Sequence, residues 1–398
     1  MSVPTREQER STAPLAAPRL VAPPLALYVH MPWCVRKCPY CDFNSHAAPA
    51  RLPQREYVDA LIDDLMRDLP LAEERPLISI FFGGGTPSLF APAEIARFLE
   101  RVRASIPVDA LAEITLEANP GTIERGMFAD YRAAGINRVS LGAQSFNARH
   151  LHALGRIHEP HDIARAVDEL VRCGLDNFNL DLMYALPGQS VDEALADIEA
   201  ALALAPSHVS HYQLTLEPGT VFYHRPPPLP DADTAWEMQL RCQERLAQAG
   251  YEQYEVSAYA RGGRRSVHNL NYWRFGDYLG LGAGAHGKLT RVAERTVLRT
   301  SRTKQPRTYL ESAPDRRDER HVVPPGEVPF EFMLNVLRLR EGFDAAQFES
   351  RTGQPFATVL PALEQARGRG LLERDAAGAW RPTELGYRFL NDLQALFL

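Results

Sequence analysis

Three cysteines lie within eight residues of the chain, a spacing that suits iron chemistry. They are Cys34, Cys38 and Cys41, in the pattern CxxxCxxC. Three thiolates on one short loop fit a [4Fe–4S] cluster whose fourth iron keeps an open coordination position. The alternative is zinc, but a tetrahedral zinc site would need a fourth ligand from elsewhere, for example His30 or His46.

The remaining two of the five cysteines, Cys173 and Cys242, stand alone in helix-like segments. There we interpret them as small buried apolar residues. A disulfide framework would not crowd three thiols together and leave two far away, so we expect a reducing compartment.

A glycine-rich segment and several polar residues follow predicted strands. The segment is FGGGTP, which contains Gly84, Gly85 and Thr86. A glycine run alone is weak evidence, but glycine lets a backbone approach a ligand more closely than any Cβ permits. The polar residues are Glu117 in LEANP, Gln144 in LGAQS, Arg156 in LGRIH and Asp181 in NLDLM. Each alone could be a capping or solvated side chain.

Six β-rich runs alternate with amphipathic stretches and would position these residues. The runs are LALYVHM, ISIFFGG, EITLEAN, RVSLGAQS, NFNLDLMYAL and HVSHYQLTLE. Strand followed by helix predicts βα units and a parallel sheet. Six units are too few for an eight-fold barrel, so we predict an α/β fold with a partial (β/α)6 TIM-like barrel. The unusual residues fall at the C-terminal strand ends, where such sheets gather their chemistry.

The two ends of the chain differ from this pattern. Residues 1–24 are proline-rich without periodicity and are interpreted as a flexible tail. A charged, proline-rich stretch near residues 311–328 marks a boundary. We therefore assign the barrel and its extension to 25–310 and a C-terminal domain to 311–398. Helices followed by a small hairpin and a last helix predict a small, mainly helical, winged-helix-like module.

Charge and hydropathy exclude some functions. The 44 Lys and Arg residues against 50 Asp and Glu residues give a net charge of −6, which argues against a nucleic-acid partner. No apolar run approaches the roughly 18 residues that span a bilayer. The N-terminus does not resemble a secretory signal. A cytoplasmic location is expected.

The CxxxCxxC spacing resembles the signature of the radical S-adenosylmethionine (SAM) superfamily. That resemblance implies that the methionine amino and carboxylate groups of SAM chelate the open iron, and that the reduced cluster cleaves SAM to a 5′-deoxyadenosyl radical. FGGGTP is similar to the superfamily's glycine loop. By the same resemblance Tyr40 would lie beside adenine, Glu117 would accept from ribose hydroxyls and Arg156 would pair with a carboxylate.

The wider pattern resembles the coproporphyrinogen dehydrogenase branch of that superfamily. The matching stretches are LYVHMPWCVRKCPYCDFNSH, FFGGGTPSLF, LEANPGT, RVSLGAQSFN, LGRIH and LMYALPGQ. The resemblance implies contacts to one SAM molecule from Tyr28, Gly84 and Glu117. It implies contacts to a second from Tyr40, Gly85, Thr86, Gln144, Arg156 and Asp181.

Two departures separate the chain from the decarboxylating enzymes of that branch. Those enzymes carry a further cysteine two positions after the third, where this chain has Phe43. They also begin with a longer N-terminal arm, whereas 33 residues precede Cys34 here. Both departures resemble the HemW-type heme chaperones. We therefore expect heme binding and delivery to hemoproteins, with oxygen-independent coproporphyrinogen III dehydrogenase as the alternative.

His268 begins the segment HNLNYW, which looks like the HNxxYW motif of the chaperone group. Imidazole is a common axial ligand of heme, and aromatic neighbours offer a flat apolar surface. The alternative is a hairpin in which Tyr272 and Trp273 are core residues and His268 is satisfied by a hydrogen bond. If His268 is not the ligand, we expect it among His30, His208, His211 or His286.

The resemblance also sets expectations for partners. The recipients would be membrane-associated respiratory hemoproteins, with transient membrane association and a homodimer as further expectations. Whether the SAM scaffold has its own catalytic role stays open. A zinc-stabilised interaction module is disfavoured because the glycine loop, Glu117 and Arg156 would then have no use.

Overall fold

A computed structural model describes residues 18–122, 127–312 and 317–398. The strands are β1 (Leu25–Met31), β2 (Trp33–Cys34), β3 (His46–Ala47), β4 (Leu77–Gly84), β5 (Val108–Ala118), β6 (Arg138–Gln144), β7 (Phe178–Tyr184), β8 (His208–Gln213), β9 (Glu252–Glu255), β10 (Ala258–Ala260), β11 (Asp277–Leu281), β12 (His286–Arg291), β13 (Thr296–Arg302), β14 (Arg317–Val322), β15 (Leu372–Arg374) and β16 (Trp380–Pro382).

Helices fill most of the connections. They are α1 (Gln54–Asp68), α2 (Pro92–Ser105), α3 (Met127–Ala134), α4 (Ala148–Ala153), α5 (Pro160–Arg172), α6 (Val191–Ala203), α7 (Val221–His224), α8 (Ala232–Gln248), α9 (Val267–Trp273), α10 (Pro306–Glu311), α11 (Val328–Val336), α12 (Ala345–Thr352), α13 (Leu360–Gly368), α14 (Glu384–Arg388) and α15 (Leu390–Gln394). None of the described helices is long and apolar enough to cross a membrane.

One twelve-stranded sheet organises the molecule, in the order β14-β13-β12-β11-β1-β4-β5-β6-β7-β8-β10-β9. The six strands predicted from sequence are β1 and β4 to β8, which pair in parallel in chain order. β11 adds a further parallel strand beside β1. Antiparallel strands form both edges, so the sheet stays open. The predicted α/β fold with a partial six-unit barrel is confirmed.

Burial on both faces explains why these strands read as nearly continuous apolar runs. In β1, six of seven residues are buried. The helices cover the sheet with apolar stripes, as in α5, where Ile163, Val167 and Leu170 are buried. A capping box fixes the start of α6: Ser190 and Glu193 each accept from the other's backbone N–H.

The C-terminal region packs around a core of its own. Helices α11 to α13 precede the β15–β16 hairpin, and α14 and α15 follow it, as predicted. Phe332, Phe348 and Trp380 lie in this core. Strand β14, in contrast, pairs with β13, so residues 317–322 belong to the large sheet although the sequence assigned them to the C-terminal domain.

Part of the predicted N-terminal tail is anchored. Leu20 is buried, and the Val21 N–H donates to the carbonyl of Ser350 at 2.9 Å. The carbonyl of Pro24 accepts from the Asp277 N–H at 3.0 Å. Residues 18–24 therefore join the sheet to the C-terminal region. The rest of the predicted tail lies outside the described residues.

Candidate functional site

The three cysteines lie on the loop that follows β1. Two short parallel strands, β2 and β3, hold the ends of this loop together, because Trp33 pairs with His46. Within it the Cys41 N–H donates to the carbonyl of Cys38 at 3.2 Å. All three cysteines are partly exposed and line one cavity of ≈ 440 Å³. Burial raises the pKa of the Cys34 and Cys41 thiols, so metal binding there must release protons.

The glycine run at the end of β4 lies directly against this loop. Gly84 has a φ of +109°, and a Cβ on it would come within 2.4 Å of the His30 ring. A Cβ on Gly85 would come within 2.6 Å of the Trp33 carbonyl oxygen. The Thr86 N–H donates to that same carbonyl at 2.8 Å. The glycines are thus required by the close approach of β4 to the end of β1 and to β2, in addition to any approach to a ligand that the sequence suggested.

Two carboxyl side chains of the site are Glu117, near the end of β5, and Asp181, in β7. Glu117 accepts from the Gly84 N–H at 3.0 Å. Burial, and secondarily the nearby Asp181, raises the pKa of Glu117 to about 8. Asp181 accepts from the Ser140 hydroxyl at 2.9 Å and from the Tyr212 hydroxyl at 3.3 Å. Burial also raises the pKa of Asp181. Glu117 is therefore mostly protonated at neutral pH, and an incoming cation would favour its ionised form.

Arg156 brings an unpaired cation to the same cavity. Its Nη2 donates to the carbonyl of Gly142 at 2.9 Å, and its Nη1 lies 3.7 Å from Cys38 Sγ. Its Nε is buried without a hydrogen-bond partner among the described residues. Within that part of the chain, Arg156 also forms no ion pair. The guanidinium is accordingly free to pair with an anionic group.

Gln144 ends β6 in an unusual conformation. Its φ is +66°, in the left-handed region that non-glycine residues rarely adopt. The pairing of β6 with β7 shifts register between Leu141 and Gln144, which accompanies this turn. Such strain persists where the surrounding structure enforces it, often at functional sites. Here it occurs beside the cavity that Gln144 lines.

The structure brings most of the predicted residues together. The ≈ 440 Å³ cavity is lined by Cys34, Cys38, Tyr40, Cys41, Gly84, Gly85, Thr86, Glu117, Gln144, Arg156 and Asp181. Tyr28 does not line it. Its hydroxyl is hydrogen-bonded to His30 Nδ1 at 2.9 Å, and it lines a neighbouring cavity of ≈ 750 Å³.

The second cavity shares a wall with the first and is rich in aromatic residues. Gly84 and Glu117 line both cavities, and so does Phe43, which is 59% exposed. Tyr272 and Trp273 line the larger cavity on the side of α9. A flat apolar ligand could therefore lie beside the cysteine loop, on the far side of Gly84 from the first cavity.

Both ring nitrogens of His268 have hydrogen-bond partners. It lies on helix α9 and is 1% exposed. Its Nδ1 is hydrogen-bonded to the Ser79 hydroxyl at 2.9 Å, and its Nε2 to the Tyr272 hydroxyl at 3.0 Å. Burial lowers the pKa of His268 to about 3, so the ring is neutral. These contacts favour the alternative of a core histidine satisfied by hydrogen bonds, although the segment forms a helix rather than a hairpin.

The histidines that a zinc site would recruit are also occupied. His30 Nε2 is hydrogen-bonded to the Asn44 carbonyl at 2.8 Å, and His46 Nε2 lies 3.3 Å from Asn44 Oδ1. Among the described residues, no three His, Cys, Asp or Glu side chains are grouped to hold a single metal ion. His30 and His46 are thus engaged by Asn44 rather than by the cysteines, and three sulfurs around a cavity suit a cluster.

Two residues of the site gave no clear signal in the sequence. Asn44 joins the cysteine loop to the rest of the molecule, since its Nδ2 donates to the carbonyls of Ala283 and Lys304, both at 2.9 Å. Tyr212 contacts Asp181 from the neighbouring strand β8. Tyr212 could have been found from its place near a strand end. Asn44 could not, because its partners lie more than 200 residues away in the sequence.

An open α/β sheet with a three-cysteine loop at the carboxyl end of its first strand defines a radical SAM protein. The model of the radical SAM superfamily matches residues 28–201, and that of the HemN C-terminal domain matches residues 323–389. In structure, the chain is similar to coproporphyrinogen III oxidase (HemN) from Escherichia coli, with a TM-score of 0.80 and 22% identity. That match covers 94% of this chain and 90% of the other, and shows a shared fold.

Sequence similarity to curated relatives shows to which family within the superfamily the chain belongs. The chain is 49% identical to the heme chaperone HemW of Escherichia coli over 94% of its own length and 98% of the relative. It is 47% identical to that of Haemophilus influenzae, with the same coverage. The chain therefore belongs to the HemW family of the radical SAM superfamily. Membership implies a [4Fe–4S] cluster and SAM as cofactors, and the thiols and the unpaired guanidinium of the first cavity fit both groups.

Proposed function

We propose that this protein is a heme chaperone, which binds heme and passes it to hemoproteins. The observation that carries the proposal is the ≈ 750 Å³ cavity beside the cysteine loop, lined by Tyr28, Tyr272, Trp273 and Tyr278. Its volume lies within the range of small-molecule sites, roughly 300 to 1,000 Å³. Aromatic side chains can pack against the flat face of a porphyrin. The name that the relatives carry over their full length supports the same function.

The first cavity would hold the cofactors of the scaffold. Cys34, Cys38 and Cys41 would bind the [4Fe–4S] cluster, which supplies electrons and an open coordination position when bound. Arg156 would pair with a carboxylate of SAM, and Glu117 and Asp181 would accept hydrogen bonds from its hydroxyl groups. The remaining proposed contacts are Tyr28, Tyr40, Gly84, Gly85, Thr86 and Gln144. Except for Tyr28, these residues line the cavity together with the cysteines.

Phe43 favours the carrier over the decarboxylating enzyme. Phe43 occupies the position at which the decarboxylating enzymes of the coproporphyrinogen dehydrogenase branch carry a further cysteine. It lines both cavities. A phenyl ring cannot supply thiol chemistry. We therefore propose that the chain does not decarboxylate coproporphyrinogen III.

Further proposals concern partners and organisation. We propose membrane-associated respiratory hemoproteins as recipients, transient membrane association, a cytoplasmic location and a homodimer. The domain division also stays a proposal: a tail at 1–24, the barrel with its extension at 25–310 and a C-terminal domain at 311–398. The pairing of β14 and the match of the HemN C-terminal model from residue 323 favour a later start for the last domain.

Parallel assays on anaerobically reconstituted protein would test the proposal. Hemin is titrated while the Soret band is recorded, and the loaded protein is then mixed with an apo-hemoprotein. The same preparation is incubated with coproporphyrinogen III, SAM and a reductant. We expect saturable heme binding, transfer faster than from hemin bound to serum albumin, and no decarboxylation. Absence of heme binding, or robust decarboxylation with SAM consumed in proportion, would overturn the proposal.

A further inference from the structure

The ≈ 750 Å³ cavity has a distinctive set of charges. Four cationic side chains line it, and two of them are already paired. Arg299 pairs with Glu331 at 2.7 Å, and Lys288 pairs with Asp277 at 3.0 Å.

The other two cations of the cavity are Lys37 and Lys304, both exposed. Neither forms an ion pair among the described residues. The Lys37 ammonium donates only to the Phe43 carbonyl, at 3.2 Å. Two exposed ammonium groups at one aromatic cavity would suit an apolar ligand that carries two negative charges.

The histidines of the cavity differ in whether a ring nitrogen is free. His30 is hydrogen-bonded through Nδ1 to Tyr28 and through Nε2 to Asn44. His46 is hydrogen-bonded to the Asn44 side chain and to the backbone of Lys304. His286 is exposed and lines the same cavity. Within the described part of the chain, neither of its ring nitrogens has a hydrogen-bond partner.

The surroundings of His286 favour its neutral form. Although its surface is open to the cavity, partial desolvation by the surrounding residues lowers the pKa of His286, as do the nearby cations Lys304 and Arg299, while Glu319 acts in the opposite direction. A neutral imidazole has the lone pair that an iron ligand needs. His268, in contrast, borders a separate cavity of ≈ 170 Å³, which is smaller than typical small-molecule sites of roughly 300 Å³ and above.

We propose that the ≈ 750 Å³ cavity binds the iron porphyrin, with His286 as the axial ligand of the iron and Lys37 and Lys304 paired with the two propionates. This assignment rests on the proposed chaperone function. The axial ligand would then be the first residue of β12 rather than the histidine of the HNxxYW segment. Tyr272 and Trp273 of that segment would pack against the porphyrin.

The backbone around His286 is positioned by the cysteine loop. Gly284, two residues before it, has a φ of +81°, and a Cβ there would come within 2.2 Å of Asn44 Nδ2. Asn44 also donates to the carbonyls of Ala283 and Lys304. The proposed iron ligand and one proposed propionate partner are therefore both attached to the loop that carries the cysteines.

Hemin titrations of variants would test the ligand. The His286→Ala variant should bind hemin at least about tenfold more weakly, with a shifted Soret band, because the coordinate bond is lost. Added imidazole should restore the wild-type band. Iron-free protoporphyrin IX, followed by fluorescence, should bind the wild type and His286→Ala equally, because it makes no iron bond. The matched control His161→Ala, at an exposed histidine that does not line this cavity, should leave the hemin Soret band unchanged.

The propionate contacts have a separate test. Lys304→Ala and Lys37→Ala should each weaken hemin binding about two- to fivefold, as for exposed ion pairs. Neither change should affect hemin dimethyl ester, which lacks the two charges. An equal loss with the ester would overturn the propionate assignment.

The outcomes separate this inference from the proposed function. If the wild type binds no hemin, the chaperone function itself fails. If the wild type binds hemin but His286→Ala and His286→Gln keep its affinity and Soret band, only the ligand assignment fails. If His286→Ala loses protoporphyrin IX as well as hemin while His286→Gln keeps both, His286 acts by packing and the ligand role is again refuted.

Discussion

The raised pKa of Glu117 predicts that SAM binding depends on pH. Burial and the neighbouring Asp181 raise this pKa to about 8, so most Glu117 side chains carry a proton at neutral pH. SAM carries a sulfonium charge, and the carboxylate form of Glu117 would attract it. Binding should therefore expel the proton, and affinity should rise as pH increases toward 8 and fall as pH decreases.

The magnitude follows from the ionised fraction. With a pKa of about 8, that fraction increases about 25-fold between pH 6.5 and pH 8.5. If SAM binds only the ionised form, its dissociation constant falls by the same factor, equivalent to about 1.9 kcal/mol. The α-amino group of SAM itself titrates near 8, so the matched control is essential. Glu117→Gln keeps an acceptor for the Gly84 N–H and removes the ionisation.

Calorimetry in buffers of different ionisation enthalpy would measure both affinity and proton release. Below pH 8 we expect the wild type to release close to one proton more than Glu117→Gln, whose shallower profile reflects the α-amino group of SAM alone. Asp181→Asn should move the wild-type rise to lower pH, because it removes one cause of the raised Glu117 pKa. Superimposable profiles for the wild type and Glu117→Gln would refute the reasoning.

Three further sets of variants test the rest of the site. Cys34→Ala, Cys38→Ala or Cys41→Ala should each abolish the cluster in iron analysis, whereas Cys173→Ala and Cys242→Ala should retain about four irons; stoichiometric zinc without iron would contradict this. Arg156→Ala should weaken SAM binding at least about tenfold with the cluster intact, because a charge-assisted contact contributes about 1.5 to 3 kcal/mol, and unchanged affinity would exclude the contact. Gly84→Ala should lower iron incorporation because its Cβ would meet the His30 ring, whereas Gly326→Ala, with open space around it, should behave as wild type.

The sheet was predictable because its signals are local. Each of the six parallel strands is a short apolar run, and each is followed by a helix with its own apolar stripe. Parallel strands present their carboxyl ends at one edge, so Glu117, Gln144 and Asp181 were expected to meet, and they do. The cysteine spacing is equally local. Predictions of this kind need no knowledge of which strands are neighbours.

What the sequence could not reveal depends on contacts between distant segments. The need for glycine at Gly84 arises from the His30 ring, and the hydrogen bonds of His268 reach Ser79, 189 residues away. A histidine followed by aromatic residues looks like a ligand until its partners are known. The place of β14 likewise depends on its pairing with β13, a contact that the local sequence does not reveal. Composition carried no information on any of these pairings.

The two cavities are physically connected through one short segment. Asp42, Phe43 and Ser45 line both cavities, and Asn44, between Phe43 and Ser45, holds the backbone that precedes His286. A displacement of the cysteine loop would therefore change the wall of the larger cavity. A ligand bound in the larger cavity would in turn affect the position of the loop. Because such coupling is reciprocal in free energy, whatever orders the loop also favours the ligand. With heme in the larger cavity, as proposed above, this arrangement would give the SAM scaffold a structural use in holding heme, independent of any reaction that the cofactors perform.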